Sequence, residues 1–277
     1  MRKNQYGFRT FLLEIIAIFI ALLFLVPFYY VLANSFKSFA DILQNTSSLP
    51  KKFDFTNYKQ AWSIMQFSKV ALNSLFITIT SNIIIVFFCS MAAYKLVRTK
   101  NKLSTILFFM FVAAMIIPFQ SIMIPLIKVG SKLDLMNNHW GIIIMYLGFG
   151  SGLSIFLYHG FIKGIPIELE EAAIIDGCSQ FMVFWRVVFP LLKPITVTIV
   201  ILNTLWIWND FLLPSIVLNS DINLRTIPLA TFYFFGAYTK QWHLALAGLV
   251  LGITPLLIFF FAAQKHIIKG ITSGSIK

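Results

Sequence analysis

Charged residues are scarce in this sequence. Only 12% of the 277 residues are Asp, Glu, Lys or Arg, and only ten are acidic, whereas 58% are apolar. Because soluble domains carry about 25% charged residues, a chain of this composition cannot keep most of its surface in water. The shortage of charge therefore argues against a soluble protein and indicates one that lies in a membrane.

Cysteine and histidine are also sparse. Cys89 lies in an apolar run and Cys178 in a polar segment, so no disulfide framework is predicted. The four histidines are isolated, without a Cys, Asp or His at the spacing of metal ligands. We therefore predict no metal site, no cofactor and no catalytic residues.

The net charge of +12 is not concentrated in a basic cluster. The 22 Lys and Arg residues are scattered between apolar runs, whereas nucleic-acid-binding proteins gather them on one face. The sequence also lacks the phosphate-binding pattern G-x-x-x-x-G-K-[ST]. We predict that these residues flank membrane spans, that no nucleic acid is bound, and that the chain does not cradle ATP alone.

Long apolar runs occupy most of the chain. A helix needs about 20 apolar residues to cross a bilayer core. We predict an all-α integral membrane protein with six transmembrane helices, at residues 11–32, 70–94, 103–127, 140–161, 195–218 and 242–263. The first run is longer than the apolar part of a secretory signal, so we interpret it as an uncleaved span.

The distribution of Lys and Arg predicts the orientation. With both termini in the cytoplasm, the inner segments hold more of these residues than the outer ones, and the densest group lies in the short loop from Lys95 to Lys102. Two polar segments then remain between spans, an outer one at 33–69 and an inner one at 162–193. We divide the chain into residues 1–69, a core at 70–265 and a cytoplasmic tail at 266–277.

A few polar residues inside the spans are candidates for a transport pathway. Asn82 lies in the most polar part of the second span, where it faces either a pathway or a neighbouring helix. Asp210 is an ionisable residue in the fifth span, and it follows Trp208 and Asn209 in a stretch that we expect to be unwound. These four residues are the predicted pathway positions.

The inner segment from Gly164 to Pro194 predicts a helical hairpin. Glu168, Glu170 and Glu171 lie where carboxylates stabilise the start of a helix, and Gly177 provides its end. The next helix carries Phe181, Phe184, Trp185 and Val188 on one apolar stripe, and we expect Pro190 and Pro194 to end it before the fifth span. The pattern alone is compatible with a helix on the bilayer surface or with a helix that docks to another protein. Anionic headgroups repel three clustered acids, which counts against the bilayer surface.

The same segment resembles a family signature. Permeases of binding-protein-dependent importers carry E-A-A, three residues, G, nine residues and I-x-L-P. Here Val187 and Phe189 stand at the isoleucine and leucine positions, and both substitutions stay apolar. The predicted coupling residues are Glu171, Ala172, Ala173, Asp176, Gly177 and Pro190.

The resemblance extends along the chain to the maltose and multiple-sugar type of ATP-binding-cassette importer, specifically its smaller permease. Matching segments are Phe55–Tyr58, Ile165–Leu169, Trp208–Phe211, Thr226–Leu229 and the tail from Gly270 to Lys277. The tail departs from the usual G-A-V-K-G of the family at Ser275 and Ile276 and by lacking the last glycine.

This resemblance implies a type I importer permease fold with a cytoplasmic coupling hairpin, in the plasma (inner) membrane of a bacterium. The implied partners are a second permease, two copies of a cytoplasmic ATPase subunit, an extracellular or periplasmic sugar-binding protein and the lipid bilayer. The glutamate of the hairpin would pair with a basic residue of the ATPase, and Gly274 and Lys277 of the tail would reach between the ATPase subunits. The cargo would be a sugar, with di- or oligosaccharides expected.

Other functions remain open at this point. A permease of the same class for an amino acid, peptide or phosphate would carry the same signature. An ion-driven secondary transporter normally needs midplane ionisable groups and repeated halves, and a membrane-embedded enzyme needs clustered His, Asp or Glu. This sequence shows no clear repeat, few such midplane groups and no such cluster.

Overall fold

The computed structural model describes residues 7–218, 221–236 and 240–273, except the side chains of 263 and 265–273. Within this part of the chain the structure is helical, with a single isolated β-bridge between Phe235 and Lys240 and no strand. The predicted all-α class is confirmed.

The helices follow the apolar runs of the sequence. The first half of the chain forms α1 (Phe8–Ser35), α2 (Phe39–Gln44), α3 (Thr56–Met65), α4 (Phe67–Arg98), α5 (Lys102–Ala114), α6 (Phe119–Lys132) and α7 (His139–Ile162). The second half forms α8 (Glu168–Ile175), α9 (Gln180–Val183), a π-turn (Phe184–Val188), α10 (Phe189–Leu191), α11 (Lys193–Asn209), α12 (Leu212–Val217), a 3₁₀ turn (Ile222–Leu224), α13 (Ile227–Phe232) and α14 (Trp242–Ser273).

Four helices are long and apolar enough to cross a membrane. They are α1, α4, α7 and the part of α14 from Trp242 to Ala262, which match four of the predicted spans. Two bent pairs, each counted as one span, raise the number to six. The protein is therefore a multi-pass membrane protein.

The third and fifth predicted spans are not continuous helices, which corrects the sequence-based expectation. α5 and α6 meet at 106°, and the break ends at Pro118, whose backbone is extended. Proline has no N–H and disfavours helical backbone at the residue before it, so the helix stops here. The fifth run ends as a helix at Asn209, and Asp210 is extended before α12 begins.

Two compact units divide the chain, residues 1–67 with 231–254 and residues 68–230 with 255–277. In the first unit, polar contacts order the outer segment. The Asn57 amide donates to the carbonyls of Ser35 and Lys37, both at 2.8 Å, and the hydroxyls of Ser35 and Tyr58 lie 2.6 Å apart. Burial raises the pKa of Tyr58, so this hydroxyl stays protonated.

The second unit is built around α7. This helix packs against α5, α11 and α12, and its Ile142, Ile143, Tyr146 and Tyr158 are fully buried. Other side chains of the same helix are exposed, among them Trp140, Ile144 and Phe156. The unit also holds the hairpin and the residues predicted for the pathway.

Candidate functional site: an exposed hairpin and a cavity between spans

The hairpin predicted between the fourth and fifth spans is present. α8 ends in a turn at Gly177, whose φ of +86° favours glycine. The Gly177 amide donates to the Ile174 carbonyl and the Cys178 amide to the Ala173 carbonyl, both at 3.0 Å. This is the bonding pattern of a glycine-terminated helix, and it turns the chain sharply into α9.

Most of the signature residues at the tip of the hairpin are exposed. Glu171, Ala172, Asp176 and Gly177 are exposed, and Ala173 is half-buried. Beside them, the Ile175 side chain is 85% exposed. The tip therefore leaves a charged, a small and a large apolar residue uncovered.

Glu170 was missed as a separate functional residue. Among the three acids of α8 it is the buried one, and its carboxylate lies 2.6 Å from the guanidinium of Arg98 at the end of α4. Sequence reasoning grouped it with the acids that stabilise a helix start. A signal was available in Tyr94 and Arg98, which stand four residues apart at the end of a span.

We had expected Pro190 to end the hairpin helix, but the helix continues past it. The helix passes through a π-turn at Phe184–Val188 and continues to Leu191, with the amide of Phe189 bonded to the Phe184 carbonyl. The bend of 75° follows, between the segments Gln180–Leu191 and Lys193–Asn209. Because π-turns shift the hydrogen-bond register by one residue, the chain accommodates a proline inside the helix and bends after it.

A cavity of about 590 Å³ lies among the spans of the second unit. Its walls come from α4, from the hairpin end at the π-turn, from α11 and from α14. Polar groups are supplied by Thr78, Asn82, Thr196 and Thr204, and aromatic rings by Phe87, Trp185, Phe189, Trp208 and Phe259. Apolar walls with a few polar groups are typical of a small-molecule site.

The four predicted pathway residues separate into two pairs. Asn82 and Trp208 are buried and line the cavity. Asn209 is exposed and its amide donates to the Leu205 carbonyl of its own helix at 2.7 Å. Asp210 lines a different, smaller cavity, where it accepts hydrogen bonds from the Tyr146 hydroxyl and the Leu212 amide, both at 3.0 Å.

The aromatic end of the cavity was not predicted. Phe87 of α4 stacks on Trp185 of the π-turn, with ring centroids 5.3 Å apart, and Phe189 contacts the same indole at 4.7 Å. The sequence pattern placed Trp185 on an apolar stripe with Phe184 and Val188, which are buried. The hairpin and the cavity therefore share residues.

The tail residues Gly274 and Lys277 lie outside the described part of the chain.

A helical, multi-pass protein with an open cavity between its spans and an exposed hairpin has features of a membrane transport component. Comparison with known proteins identifies the family to which the chain belongs. Residues 85–273 match the family described as "Binding-protein-dependent transport system inner membrane component". The chain belongs to this family of permeases; it is a transport subunit and not an enzyme.

Curated relatives cover all or most of the chain. It is 48% identical over 277 residues, all of both chains, to the "Probable starch degradation products transport system permease protein AmyC" of Thermoanaerobacterium thermosulfurigenes. It is 36% identical to the "Multiple sugar-binding transport system permease protein MsmG" of Streptococcus mutans, covering 92% of this chain and 93% of that one.

A solved structure shares the fold. One chain of a bacterial ABC transporter involved in the import of the acidic polysaccharide alginate superposes with a TM-score of 0.81, covering 95% of this chain and 99% of that chain at 23% identity. The importer permease fold expected from the resemblance is confirmed.

Proposed function

We propose that the chain is a permease subunit of an ATP-driven, binding-protein-dependent importer of sugars, with di- or oligosaccharides as cargo. The observation that carries the proposal is the exposed hairpin with Glu171 and Ala172 at its surface, directly connected to a cavity between spans. The cargo class is supported by the printed names of the relatives, which refer to starch degradation products and to multiple sugars.

The cavity fits this cargo chemically. Sugar rings have apolar faces of C–H groups and a rim of hydroxyls, so they need both aromatic surface and hydrogen-bonding groups. Trp208 supplies the first, and Asn82 and Thr204 supply the second. We propose that this cavity is the contribution of this chain to the translocation pathway, with the other half coming from a second permease.

The proposed assembly follows from the family. Two permeases stand over two copies of a cytoplasmic ATPase and receive sugar from an extracellular or periplasmic binding protein. Both termini of this chain then lie in the cytoplasm of a bacterium, the 70–265 segment forms the transport core, and the tail with Gly274 and Lys277 contacts the ATPase. The excess of Lys and Arg on the inner side supports this orientation.

In the proposed docking, the exposed tip of the hairpin contacts the ATPase. Glu171 offers a carboxylate to a basic group, Ala172 lets the partner's backbone approach closely, and Ile175 provides apolar area. Charge complementarity fixes the register of such an interface, whereas buried apolar area supplies most of its free energy. Asp176 and Gly177 complete the exposed tip.

A charge series at position 171 tests the docking. We expect Glu171→Lys to abolish co-purification of the ATPase and sugar uptake, because repulsion replaces attraction, and Glu171→Gln to weaken both by a smaller factor. Co-purification of the second permease with both variants is the control for correct insertion. Normal ATPase association and uptake by Glu171→Lys would remove the docking proposal.

The cargo is tested separately. The complex is purified with its extracellular binding protein, and the ligand retained by that protein is identified by mass spectrometry. We expect a saccharide of two or more units. An amino acid, peptide or phosphate would favour the alternative permease class without affecting the docking result.

A further inference from the structure

Glu170 differs from the other acids of the hairpin in its surroundings. Its side chain is 6% exposed, whereas its neighbours Glu168 and Glu171 are exposed. The carboxylate points into the second unit, toward the end of α4, and away from the docking surface. A carboxylate in such a position is held there only if its oxygens have partners.

Both carboxylate oxygens of Glu170 are bonded to α4. Oε1 accepts from Nη2 of Arg98 at 2.6 Å and from Nε at 2.8 Å, and Oε2 accepts from the Tyr94 hydroxyl at 2.7 Å. Arg98 also donates from Nη2 to the Ile165 carbonyl, at the entry to the hairpin, at 3.0 Å. We call Glu170, Arg98 and Tyr94 the Glu170 clamp.

The clamp is protected from water. The Arg98 side chain is 19% exposed, and the Tyr94 ring packs against buried Phe184 with centroids 5.1 Å apart. A buried ion pair with several hydrogen bonds contributes little net stability, but separating its partners is costly because each charge is then left without compensation. The clamp therefore fixes the geometry between α8 and α4 more than it stabilises the fold.

The element held by the clamp is also a wall of the cavity. Thr78 and Asn82 lie on the same helix as Arg98, about 24 Å along the axis from Asn82 at the helical rise per residue. Phe87, between them, stacks on Trp185 of the hairpin end. The hairpin thus contacts α4 at two points along one continuous helix, through the clamp on α8 and through the Phe87–Trp185 stack at the π-turn.

We propose that the Glu170 clamp transmits movement of the hairpin to the cavity wall, so that Glu170, Arg98 and Tyr94 are positioning residues for transport. Glu171 faces the partner and Glu170, the next residue on the helix, faces the pathway helix. The inference rests on the proposed docking of the hairpin to an ATPase. It adds that Glu171 docks the hairpin to the ATPase, whereas Glu170 transmits the movement of the hairpin to α4.

Transport coupling is tested in vesicles that contain the complete importer, with sugar uptake and ATP hydrolysis measured in the same preparation. Glu170→Gln keeps the volume of the side chain and removes its charge. We expect the ATPase to co-purify normally and the sugar taken up per ATP to fall about tenfold, because the hairpin then moves without moving α4. Tyr94→Phe, which removes one hydroxyl, should lower the same ratio less.

The outcomes separate this inference from the docking proposal. If Glu170→Gln leaves the sugar uptake per ATP unchanged, the proposed role of the clamp is wrong. Loss of ATPase association in Glu170→Gln also overturns it, because Glu170 would then belong to the docking surface. Glu171→Gln, measured alongside, should show the opposite pattern, with weaker association as its main defect; normal association there counts against docking only.

A second experiment tests, without the ATPase, whether the clamp holds the hairpin to α4. Spin labels at Cys178 in the hairpin turn and at position 88, introduced by Phe88→Cys on α4, report the distance between the two elements. We expect a narrow distance distribution that broadens in Glu170→Gln and in Arg98→Gln. The same width with and without the clamp would show that it does not hold the hairpin to α4.

Discussion

Asn82 has a side chain that the described part of the protein satisfies only in part. Its Nδ2 donates to the Thr78 carbonyl at 2.9 Å and to the Thr204 hydroxyl at 3.2 Å, whereas its buried Oδ1 has no partner there. A buried acceptor without a donor costs about 1–3 kcal/mol. This oxygen is enclosed in the structure, so we predict that the cavity wall shifts when cargo binds and that a cargo hydroxyl then supplies the missing hydrogen bond.

Substitution of Asn82 by leucine should therefore impair transport more than assembly. We expect Asn82→Leu to lower sugar uptake about tenfold, since a lost hydrogen bond of this kind is worth about 1.4 kcal/mol, while the complex still forms. Uptake of labelled sugar into vesicles is the measurement. The matched control is Asn203→Leu, because Asn203 is equally buried but bonds Ser154 and does not line the cavity. Equal losses in both variants would assign Asn82 to packing.

Asp210 was predicted for the pathway from its residue type, and its surroundings show a structural contact as well. An ionisable residue within an apolar run suggests a functional group in the pathway. In the structure its carboxylate accepts hydrogen bonds from the Tyr146 hydroxyl and from the first amide of α12. This geometry connects two helices at a point where the chain is extended.

At the scale of elements, α7 is packed so closely that some of its positions admit only glycine. A Cβ at position 141 would lie 1.8 Å from the Leu135 carbonyl oxygen, and one at position 152 would lie 2.9 Å from the Phe111 carbonyl oxygen of α5. Small residues allow helices to approach within a membrane, where water cannot drive association. Gly152 thus allows α5 to approach α7 closely, and Gly141 accommodates the segment that precedes α7.

Two alanine substitutions on α7 separate packing from helix propensity. Gly141→Ala should destabilise the protein by about 1–3 kcal/mol, because backbone would have to move to admit the methyl group. Gly148→Ala is the control, since nothing lies within 4 Å of a Cβ at that position. We expect a lower midpoint of thermal unfolding for Gly141→Ala alone. A decrease of the same size in Gly148→Ala would contradict the packing argument.

The hairpin was the most predictable element and α5–α6 among the least. Acids at the start of α8, Gly177 at its end and an apolar stripe after it are local signals, and each acts within a few residues. The 106° bend between α5 and α6 could not be inferred from Pro118 and Pro125 alone. Pro125 lies inside α6, so neighbouring contacts decide which proline breaks a helix.

At the scale of the whole molecule, the described chain has a docking surface and a cavity but no phosphate-binding loop in its sequence. The chain belongs to a family of importer permeases, in which ATP hydrolysis belongs to a separate subunit. In the proposed mechanism, a partner contacts the exposed surface of α8, and the clamp connects α8 to α4. In this arrangement the chain converts movement of a partner into movement of α4.

Uptake should accordingly depend on the ATPase partner and not on an ion gradient. In vesicles containing the full importer, inactivation of the ATPase by substitution in its own phosphate-binding loop should reduce sugar uptake to background. Dissipation of the proton and sodium gradients with ionophores should leave ATP-driven uptake unchanged. Uptake that persists with the inactive ATPase and stops with the ionophores would identify a secondary transporter.

The sequence by itself determined the membrane class, the four continuous spans, the hairpin and the family, because hydropathy and short motifs are properties of neighbouring residues. Tertiary structure alone decided that Asn82 and Trp208 share a cavity while Asn209 and Asp210 do not. It also decided that Glu170 turns inward to Arg98, a residue 72 positions away. Partners at such separations are selected by how helices pack, and no local pattern of charge or hydropathy specifies that packing.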